Sequence, residues 1–413
     1  MAAGINTVDS LFVFICAILV FFMTPALAMF YGGMVRSKNV LNTNMHSFAL
    51  YAIVSVQWIV VGYSLAFGGD MFGLVGGFTH VFMRGVSNEA GSVYASNIPE
   101  TIFFMYQMMF AIITPALVSG SVAERIKFSS FIVFITAWCF LVYDPVAHWV
   151  WGKGGFLREL GVLDFAGGYV VEILSGVSGL VAAVVLGKRI NISHARPHQI
   201  PLSLFAAGVL IFGWYGFNAG SALAFNGVAV NAFITTNTAA ACGMLGWAAI
   251  EWLRTKKPTA LGIVSGAVSG MVAITPCAGF VDVGGSLVIG LVAGVGCYFA
   301  VTKVKHHFGY DDTLDVFGCH GVGGTIGIIL LGVFSTTSIN KDGANGLLYG
   351  GGVKQLFIQI LGVAAVYVFA IVMTFVILKV VDKTLGLRTS AENEAIGLDV
   401  ADHGEKAYND LMI

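Results

Sequence analysis

Long apolar runs alternate with short polar segments along almost the whole chain. A helix crosses a bilayer with about 20 consecutive, mostly apolar residues, and eleven runs have about this length. The runs cover 11–34, 43–67, 101–123, 128–151, 165–187, 199–222, 232–250, 259–281, 284–302, 316–339 and 355–378. The pattern therefore predicts an all-α membrane protein with eleven transmembrane helices.

Composition supports this prediction and excludes several classes of function. Of the 413 residues, 57% are hydrophobic and only 10% are charged, whereas soluble domains carry about 25% charged residues. A net charge of −1 leaves no basic surface for nucleic acid. The chain has no phosphate-binding loop of an ATP-driven pump, and no catalytic constellation outside the apolar runs. We therefore expect neither an enzyme nor a cofactor-dependent protein. The six cysteines all lie inside the apolar runs, which favours packing over a metal site.

The basic residues predict the orientation of the chain. Of the 21 Lys and Arg residues, 16 fall on one set of loops and the C-terminal tail. In membrane proteins the cytoplasmic loops carry an excess of Lys and Arg. This places the N-terminus outside and the C-terminus in the cytoplasm of a cell that carries the protein in its plasma or inner membrane. Asp9 precedes the first run and Arg36 follows it, which favours an uncleaved first helix over a signal peptide. We expect a transmembrane domain over 1–385 and a cytoplasmic regulatory tail over 386–413.

Two segments of the chain share a pattern that includes an ionisable residue. Asp164 is followed by Glu172, and Asp312 by His320, both within the pattern D-x7-[EH]-x2-[SG]-G-x2-G. Ile-Thr-Pro at 113–115 recurs at 274–276, and Tyr-Gly at 31–32 recurs at 215–216. Each pair lies five helices apart, an odd number, so the second copy crosses the membrane in the opposite sense. The sequence thus predicts a five-plus-five inverted repeat, a common plan among transporters.

Helix geometry predicts the depth of the ionisable pair. Eight residues at about 1.5 Å each place Glu172 about 12 Å below Asp164, near the midplane of a core about 30 Å thick. By the repeat, His320 reaches a similar depth from the other side. An ionisable residue at this depth indicates a functional site, and we expect Glu172 to face His320. The alternative is a neutral Glu172 that serves as a hydrogen-bonded structural peg.

Several longer motifs resemble the ammonium transporter (Amt/Mep/Rh) family, and most closely its prokaryotic Amt members. The resemblance covers essentially the whole chain. It is carried by FYGGMVRSKNV (30–40), AERIKFSS (123–130), DFAGGYVVE (164–172), GWYGFNAGSA (213–222), ITPCAGFV (274–281), FGCHGVGG (317–324) and GLDVADHGEKAY (397–408). It implies a homotrimer with a narrow hydrophobic pore in each subunit, which takes ammonium or ammonia as substrate. In prokaryotic members a PII-type (GlnK-like) signalling protein docks on the cytoplasmic face, and the resemblance implies such a partner here.

The resemblance assigns roles to individual positions. It implies ammonium recruitment at Phe110, Trp151 and Ser221, a gate of stacked rings at Phe110 and Phe217, and supporting roles for Gln107, Trp214, Thr275 and Asp164, the last as a helix cap. Asp312, the counterpart of Asp164 in the repeat, receives the same supporting role. Taken alone, Trp151 also fits an interfacial anchor, and the Thr275 hydroxyl also fits a bond to its own helix.

The chain departs from the family at the midplane. The family usually carries two histidines there, and this chain has Glu172 and His320. We expect ammonium to lose its proton below the recruitment site, ammonia to cross the pore, and the Glu172–His320 pair to relay the proton. Two alternatives stay open: an ammonium sensor with little flux, and an Rh-like ammonia gas channel.

Overall fold

The computed structural model of the chain describes residues 4–190 and 196–408. Among these residues the regular secondary structure is helical apart from one short hairpin, and loops join the helices. The long apolar helices are α1 (Thr7–Met34), α2 (Ser37–Phe67), α3 (Glu100–Val122), α4 (128–151), α5 (Gly168–Leu186), α6 (Ile200–Ala222), α7 (Gly227–Thr255), α9 (Val283–Phe308), α10 (Phe317–Phe334) and α11 (Lys354–Leu385), and a shorter apolar helix, α8 (Ala260–Ile274), lies between α7 and α9 in the sequence. Two short helices, α12 (Ala391–Ile396) and α13 (Leu398–His403), follow them.

Among the described residues, ten helices are long and apolar enough to cross a membrane. The remaining predicted run, 259–281, is helical only over the 15 residues of α8. Beyond Ile274 the chain continues as successive tight turns that are buried among the other helices. Pro276 lacks the N–H that a longer helix needs, and irregular backbone at membrane depth is tolerated where protein covers it.

Polar side chains mark where several helices begin. The Asn6 side chain accepts hydrogen bonds from Val8 N and Asp9 N at the start of α1, and Asn226 does the same for Val228 N and Ala229 N of α7. Asp282 accepts from Gly285 N at the start of α9. Such caps satisfy backbone donors that have no partner within the helix.

The helices pack closely because glycines line several contacts. Helix α6 lies along α1, and a Cβ on Gly213 or Gly216 would come within 3 Å of atoms of α1. Helix α7 packs against both α8 and α9. At its contact with α8, Gly243 lies directly against Gly266 and Gly270. Small residues allow this approach between membrane helices.

Five membrane segments widen into π-helical turns, in which backbone hydrogen bonds span five residues. They are Trp58–Gly62, Cys139–Tyr143, Gly168–Ile173, Ala300–Val304 and Phe317–Gly321. Two of them, at the starts of α5 and α10, contain Glu172 and His320. Such turns re-aim side chains and are frequent at functional sites.

Two smaller features lie at the ends of the helices. A hairpin of β1 (Asp70–Met71) and β2 (Val75–Gly76) follows α2. At the other end, α12 and α13 lie against the start of α2, where Asp399 accepts a hydrogen bond from Asn42 N and Leu398 N donates to Asn39.

Candidate functional site

Three cavities follow one another through the helix bundle. We call them the aromatic vestibule, about 440 Å³; the passage, about 20 Å³; and the charged vestibule, about 210 Å³. Phe110 and Trp151 line the aromatic vestibule, Glu172 lines the passage, and His320 lines both the passage and the charged vestibule. The remaining wall of the passage is mostly apolar, with Ile113, Leu117, Leu210 and Val268 among its residues.

The structure brings the predicted recruitment residues to the aromatic vestibule. The rings of Phe110 and Trp151 meet edge to face with centroids 6.0 Å apart, and Ser221 lines the same cavity. Trp151 Nε1 donates to the Asp164 carbonyl at 3.1 Å, which fixes the indole. An aromatic face attracts a small cation, and the rings of Phe110 and Trp151 lie in this cavity together with the Ser221 hydroxyl.

Tyr106 supports this site, and sequence reasoning missed it. Its hydroxyl donates to the Phe217 carbonyl at 2.7 Å and lies 3.2 Å from Ser221 Oγ. Ser221 Oγ in turn donates to the same Phe217 carbonyl at 3.0 Å. The available signal was spacing, because Tyr106 lies four residues before Phe110 and therefore on the same face of α3.

Phe110 and Phe217 lie together where the vestibule narrows. Their ring centroids are 4.2 Å apart with 33° between the planes, and both side chains are buried. Phe110 lines the aromatic vestibule and Phe217 lines the passage. The two rings therefore lie between the aromatic vestibule and the passage in this structure.

Glu172 and His320 meet in the passage. Glu172 Oε2 and His320 Nδ1 are 2.6 Å apart, and both side chains are buried. The sequence places these residues 148 positions apart. Helices α5 and α10 approach closely here: a Cβ on Gly176 would lie 2.2 Å from Gly321 N, and one on Gly324 would lie 2.8 Å from the Cβ of Glu172.

The two acids of the predicted repeat, Asp164 and Asp312, each accept hydrogen bonds at the start of a helix that borders the passage. Asp164 accepts from the backbone of Gly167, Gly168 and Tyr169 at 2.7–2.8 Å. Asp312 accepts from Phe317 N at 2.8 Å, at the start of α10. A carboxylate satisfies the free donors of a helix N-terminus, so both acids orient the turn that carries the ionisable residue.

The other predicted supports also lie near the cavities. Gln107 lines the aromatic vestibule, and Trp214 lines the passage. Trp214 Nε1 donates to Thr275 Oγ1 at 2.9 Å, and Thr275 Oγ1 donates to the Met271 carbonyl at 2.8 Å. The Thr275 hydroxyl thus bonds both to its own helix and to Trp214 in the passage wall. The predicted supporting role and the bond to its own helix are therefore compatible.

An ion-pair network borders the charged vestibule, and sequence reasoning did not identify it. Glu124 pairs with Arg36 at 3.0 Å and with Arg189 at 2.7 Å, and Arg189 also pairs with Asp311 at 2.9 Å. Burial alone would raise the pKa of Glu124, but Arg189 and Arg36 outweigh it and hold that pKa below its usual value. In the described residues, no group of three His, Cys, Asp or Glu side chains is placed to hold a metal ion.

The chain matches known proteins over nearly its full length. A family model described as Ammonium Transporter Family matches residues 11–408. The chain belongs to the ammonium transporter family. An ammonium transporter of Bacillus subtilis is 52% identical over 404 residues, which cover 98% of this chain and 99% of the relative. One from Aquifex aeolicus is 50% identical and covers 98% of this chain and 95% of the relative.

Solved structures of this family share the fold. The crystal structure of Saccharomyces cerevisiae Mep2 superposes with a TM-score of 0.90 at 34% identity, and covers 99% of this chain and 93% of that one. A sensor Amt protein superposes with a TM-score of 0.87 at 27% identity, and covers 96% of this chain and 98% of that one. The predicted family is confirmed: the chain is a multi-pass membrane protein of a transporter family rather than an enzyme.

Proposed function

We propose that this member of the ammonium transporter family carries ammonium nitrogen across a plasma or inner membrane by conducting neutral ammonia. The observation that carries the proposal is the Glu172–His320 contact of 2.6 Å inside a narrow passage between two vestibules. Ionisable residues at membrane depth are costly to bury, and they therefore indicate a functional site. The named transport activity of the Bacillus subtilis and Aquifex aeolicus relatives supports the same conclusion.

Recruitment takes place at Phe110, Trp151 and Ser221. The ring faces attract ammonium by about 0.5–2 kcal/mol, depending on how far the ion is desolvated. The Ser221 oxygen accepts one N–H of the bound ion. Tyr106 holds the serine, since its hydroxyl lies 3.2 Å from Ser221 Oγ.

Selectivity follows from the size and polarity of the passage. Potassium has the charge of ammonium and a similar size, but it has no proton to release. Carrying an ion into apolar surroundings costs far more than the few kcal/mol of a neutral polar molecule. A passage of about 20 Å³ has no room for a hydrated ion. Ammonia therefore crosses past Phe110 and Phe217, and potassium does not.

The released proton travels through Glu172 and His320. With His320 Nδ1 2.6 Å from Glu172 Oε2, one proton passes along that contact without movement of the backbone. The two groups titrate jointly, so their macroscopic behaviour belongs to the pair. His320 also borders the charged vestibule, and it therefore delivers the proton there.

The finer architecture is part of the proposal. The aromatic vestibule faces outside with the N-terminus, and the charged vestibule and the regulatory tail face the cytoplasm. The matching caps of Asp164 and Asp312 support the inverted repeat of five plus five among eleven membrane segments. The assembly is a homotrimer, and a PII-type protein binds its cytoplasmic face.

Current measurement on reconstituted protein tests the function. With wild-type protein in proteoliposomes, an ammonium pulse is expected to give a current. A potassium pulse is expected to give none. Glu172→Ala and His320→Ala each lower the ammonium current by about 100-fold or more, as loss of a positioned proton-transfer group does. Glu89→Gln, an exposed acid outside the cavities, is the matched control and keeps the wild-type current.

Each alternative has its own result in this assay. Unchanged current and selectivity in Glu172→Ala would remove Glu172 from the relay. A further alternative is that Glu172 stays ionised and holds a cation, and substantial potassium current through the wild type would favour it. Ammonium binding without current or uptake would favour a sensor, and uptake of ammonia without charge would favour a gas channel.

A further inference from the structure

The hairpin after α2 is hydrogen-bonded to the last turn of α4, which ends at Trp151. Trp149 Nε1 donates to the Leu74 carbonyl at 2.7 Å, and Phe156 N donates to the Gly73 carbonyl at 3.1 Å. Between these bonds lies a third contact, in which His148 Nε2 is 2.9 Å from Asp70 Oδ1. The hairpin is thus bonded to the end of α4 before Trp151 and to Phe156 after it.

His148 is a buried ring whose two nitrogens both face acceptors. Nδ1 lies 3.0 Å from the Ala66 carbonyl, and Nε2 lies 2.9 Å from the Asp70 carboxylate. A carbonyl only accepts, and a carboxylate only accepts. The hydrogen bond from His148 holds the pKa of Asp70 below its usual value, so Asp70 brings no proton of its own. Both contacts are hydrogen bonds only when His148 carries a proton on each nitrogen.

The turn that follows Trp151 packs directly on this pair. A Cβ on Gly152 would lie 2.4 Å from His148 Nδ1, one on Gly155 would lie 2.0 Å from the His148 carbonyl, and one on Gly154 would lie 2.7 Å from the Cβ of Asp70. Glycine at these places lets the chain close over the ion pair. A change in the His148–Asp70 contact is therefore transmitted to the backbone on which Trp151 sits.

We propose that His148 and Asp70 are positioning residues for the recruitment site: a doubly protonated His148, paired with Asp70, ties the hairpin to α4 and holds Trp151 in place. The inference rests on the proposed function, because it gives Trp151 a role in ammonium binding. Asp70 also neutralises the imidazolium charge, which would otherwise repel ammonium beside the vestibule.

The other groups around His148 do not replace Asp70. Within α4, Asp144 lies one turn earlier and accepts from Gln57 Nε2 at 2.6 Å. Lys153, in the turn that follows, is exposed. The 68–77 segment contains one ionisable residue, Asp70. A His148 ring that carries a single proton can form only one of these two hydrogen bonds, either to the Ala66 carbonyl or to Asp70.

Methylammonium uptake by proteoliposomes tests the positioning role. Asp70→Asn is expected to raise KM by about 10-fold, the equivalent of one charge-assisted hydrogen bond, and to leave kcat within about twofold. In the wild type, KM rises as the pH on the vestibule side increases, and in Asp70→Asn the KM changes less with pH. Glu89→Gln, another exposed acid of the same loop region, retains the wild-type KM and its pH profile. An unchanged KM in Asp70→Asn overturns the inference.

A second measurement needs only the folded wild type. In ¹⁵N-histidine spectra of the full chain in lipid at neutral pH, the signals absent from His148→Gln identify His148. Two protonated ring nitrogens are expected, and one unprotonated nitrogen would overturn the inference. Wild-type protein that neither conducts nor takes up ammonium contradicts the proposed function. Wild-type transport with an unprotonated His148 nitrogen contradicts only the inference.

Discussion

Helices α5 and α10 begin in the same way and differ in what they present to the passage. Both start with an acid that caps the helix, followed by a π-helical turn that carries an ionisable residue. Glu172 of α5 borders only the passage among the cavities described here, whereas His320 of α10 borders the passage and the charged vestibule. The same local plan therefore supplies two unequal ends of the proposed proton path.

The caps differ as well. Asp164 receives three backbone hydrogen bonds, whereas the capping contact found for Asp312 is one, from Phe317 N. Helix α10 has a further anchor beside its start, where Arg189, just beyond α5, pairs with Asp311. The two helix starts are therefore held by different means: α5 by a cap with three hydrogen bonds, and α10 by a cap with one hydrogen bond together with an ion pair to the end of α5.

The largest effect on stability is expected at the crossing of the two helices. Gly176→Ala places a methyl group 2.2 Å from Gly321 N, a backbone atom that cannot rotate away. We expect a loss of about 3 kcal/mol, seen as a lower Tm in detergent. Gly324→Ala meets a side-chain atom of Glu172 at 2.8 Å and costs less. The control is Gly208→Ala, since no atom lies within 4 Å of that Cβ. Equal Tm values for Gly176→Ala and Gly208→Ala would contradict the described crossing.

Removal of the ion pair beside α10 is expected to have an intermediate, pH-dependent effect. Burial alone would raise the pKa of Asp311, but the hydrogen bond and charge of Arg189 outweigh it and keep that pKa low. The stabilisation is therefore full above the unfolded pKa, near 4, and is lost as pH falls through the folded value. Asp311→Asn should cost about 2 kcal/mol at neutral pH.

Thermal unfolding at two pH values measures this effect. The Tm difference between Asp311→Asn and the wild type should shrink as the pH is lowered toward the acid range. Asp342→Asn is a comparison on another loop, and it should lower Tm less at neutral pH. A difference that does not change with pH would show that Asp311 acts through packing and not through its charge.

The smallest effect on stability is expected when the charge of a capping acid is removed, and it should differ between Asp164 and Asp312. Asp164→Asn removes the charge that serves three backbone donors, and Asp312→Asn removes the charge that serves Phe317 N. We expect a loss of about 1–2 kcal/mol for Asp164→Asn and of about 0.5–1 kcal/mol for Asp312→Asn. The Tm of each variant measures this. A larger loss for Asp312→Asn would reverse the comparison.

Much of the candidate site follows from spacing and from the family motifs. The offset between Asp164 and Glu172 predicts an ionisable side chain deep in the membrane, and the same offset after Asp312 predicts its partner. The hairpin contacts of His148 could not be predicted in this way, and spacing places Tyr106 on the face of α3 that carries Phe110 without giving its hydrogen bonds. Tyr106 resembles any aromatic residue of an apolar helix, and Asp70 and His148 lie 78 positions apart. Their roles depend on which surfaces meet.

The sequence by itself determined the membrane environment, the approximate helix boundaries and the family, because all three depend on local apolar length and on contiguous motifs. The tertiary structure alone decided that α8 ends after 15 residues, that π-helical turns carry Glu172 and His320, and that Arg189 joins the end of α5 to the start of α10. These features depend on contacts between segments far apart in the chain. Local hydrophobicity contains no information about which of those segments become neighbours.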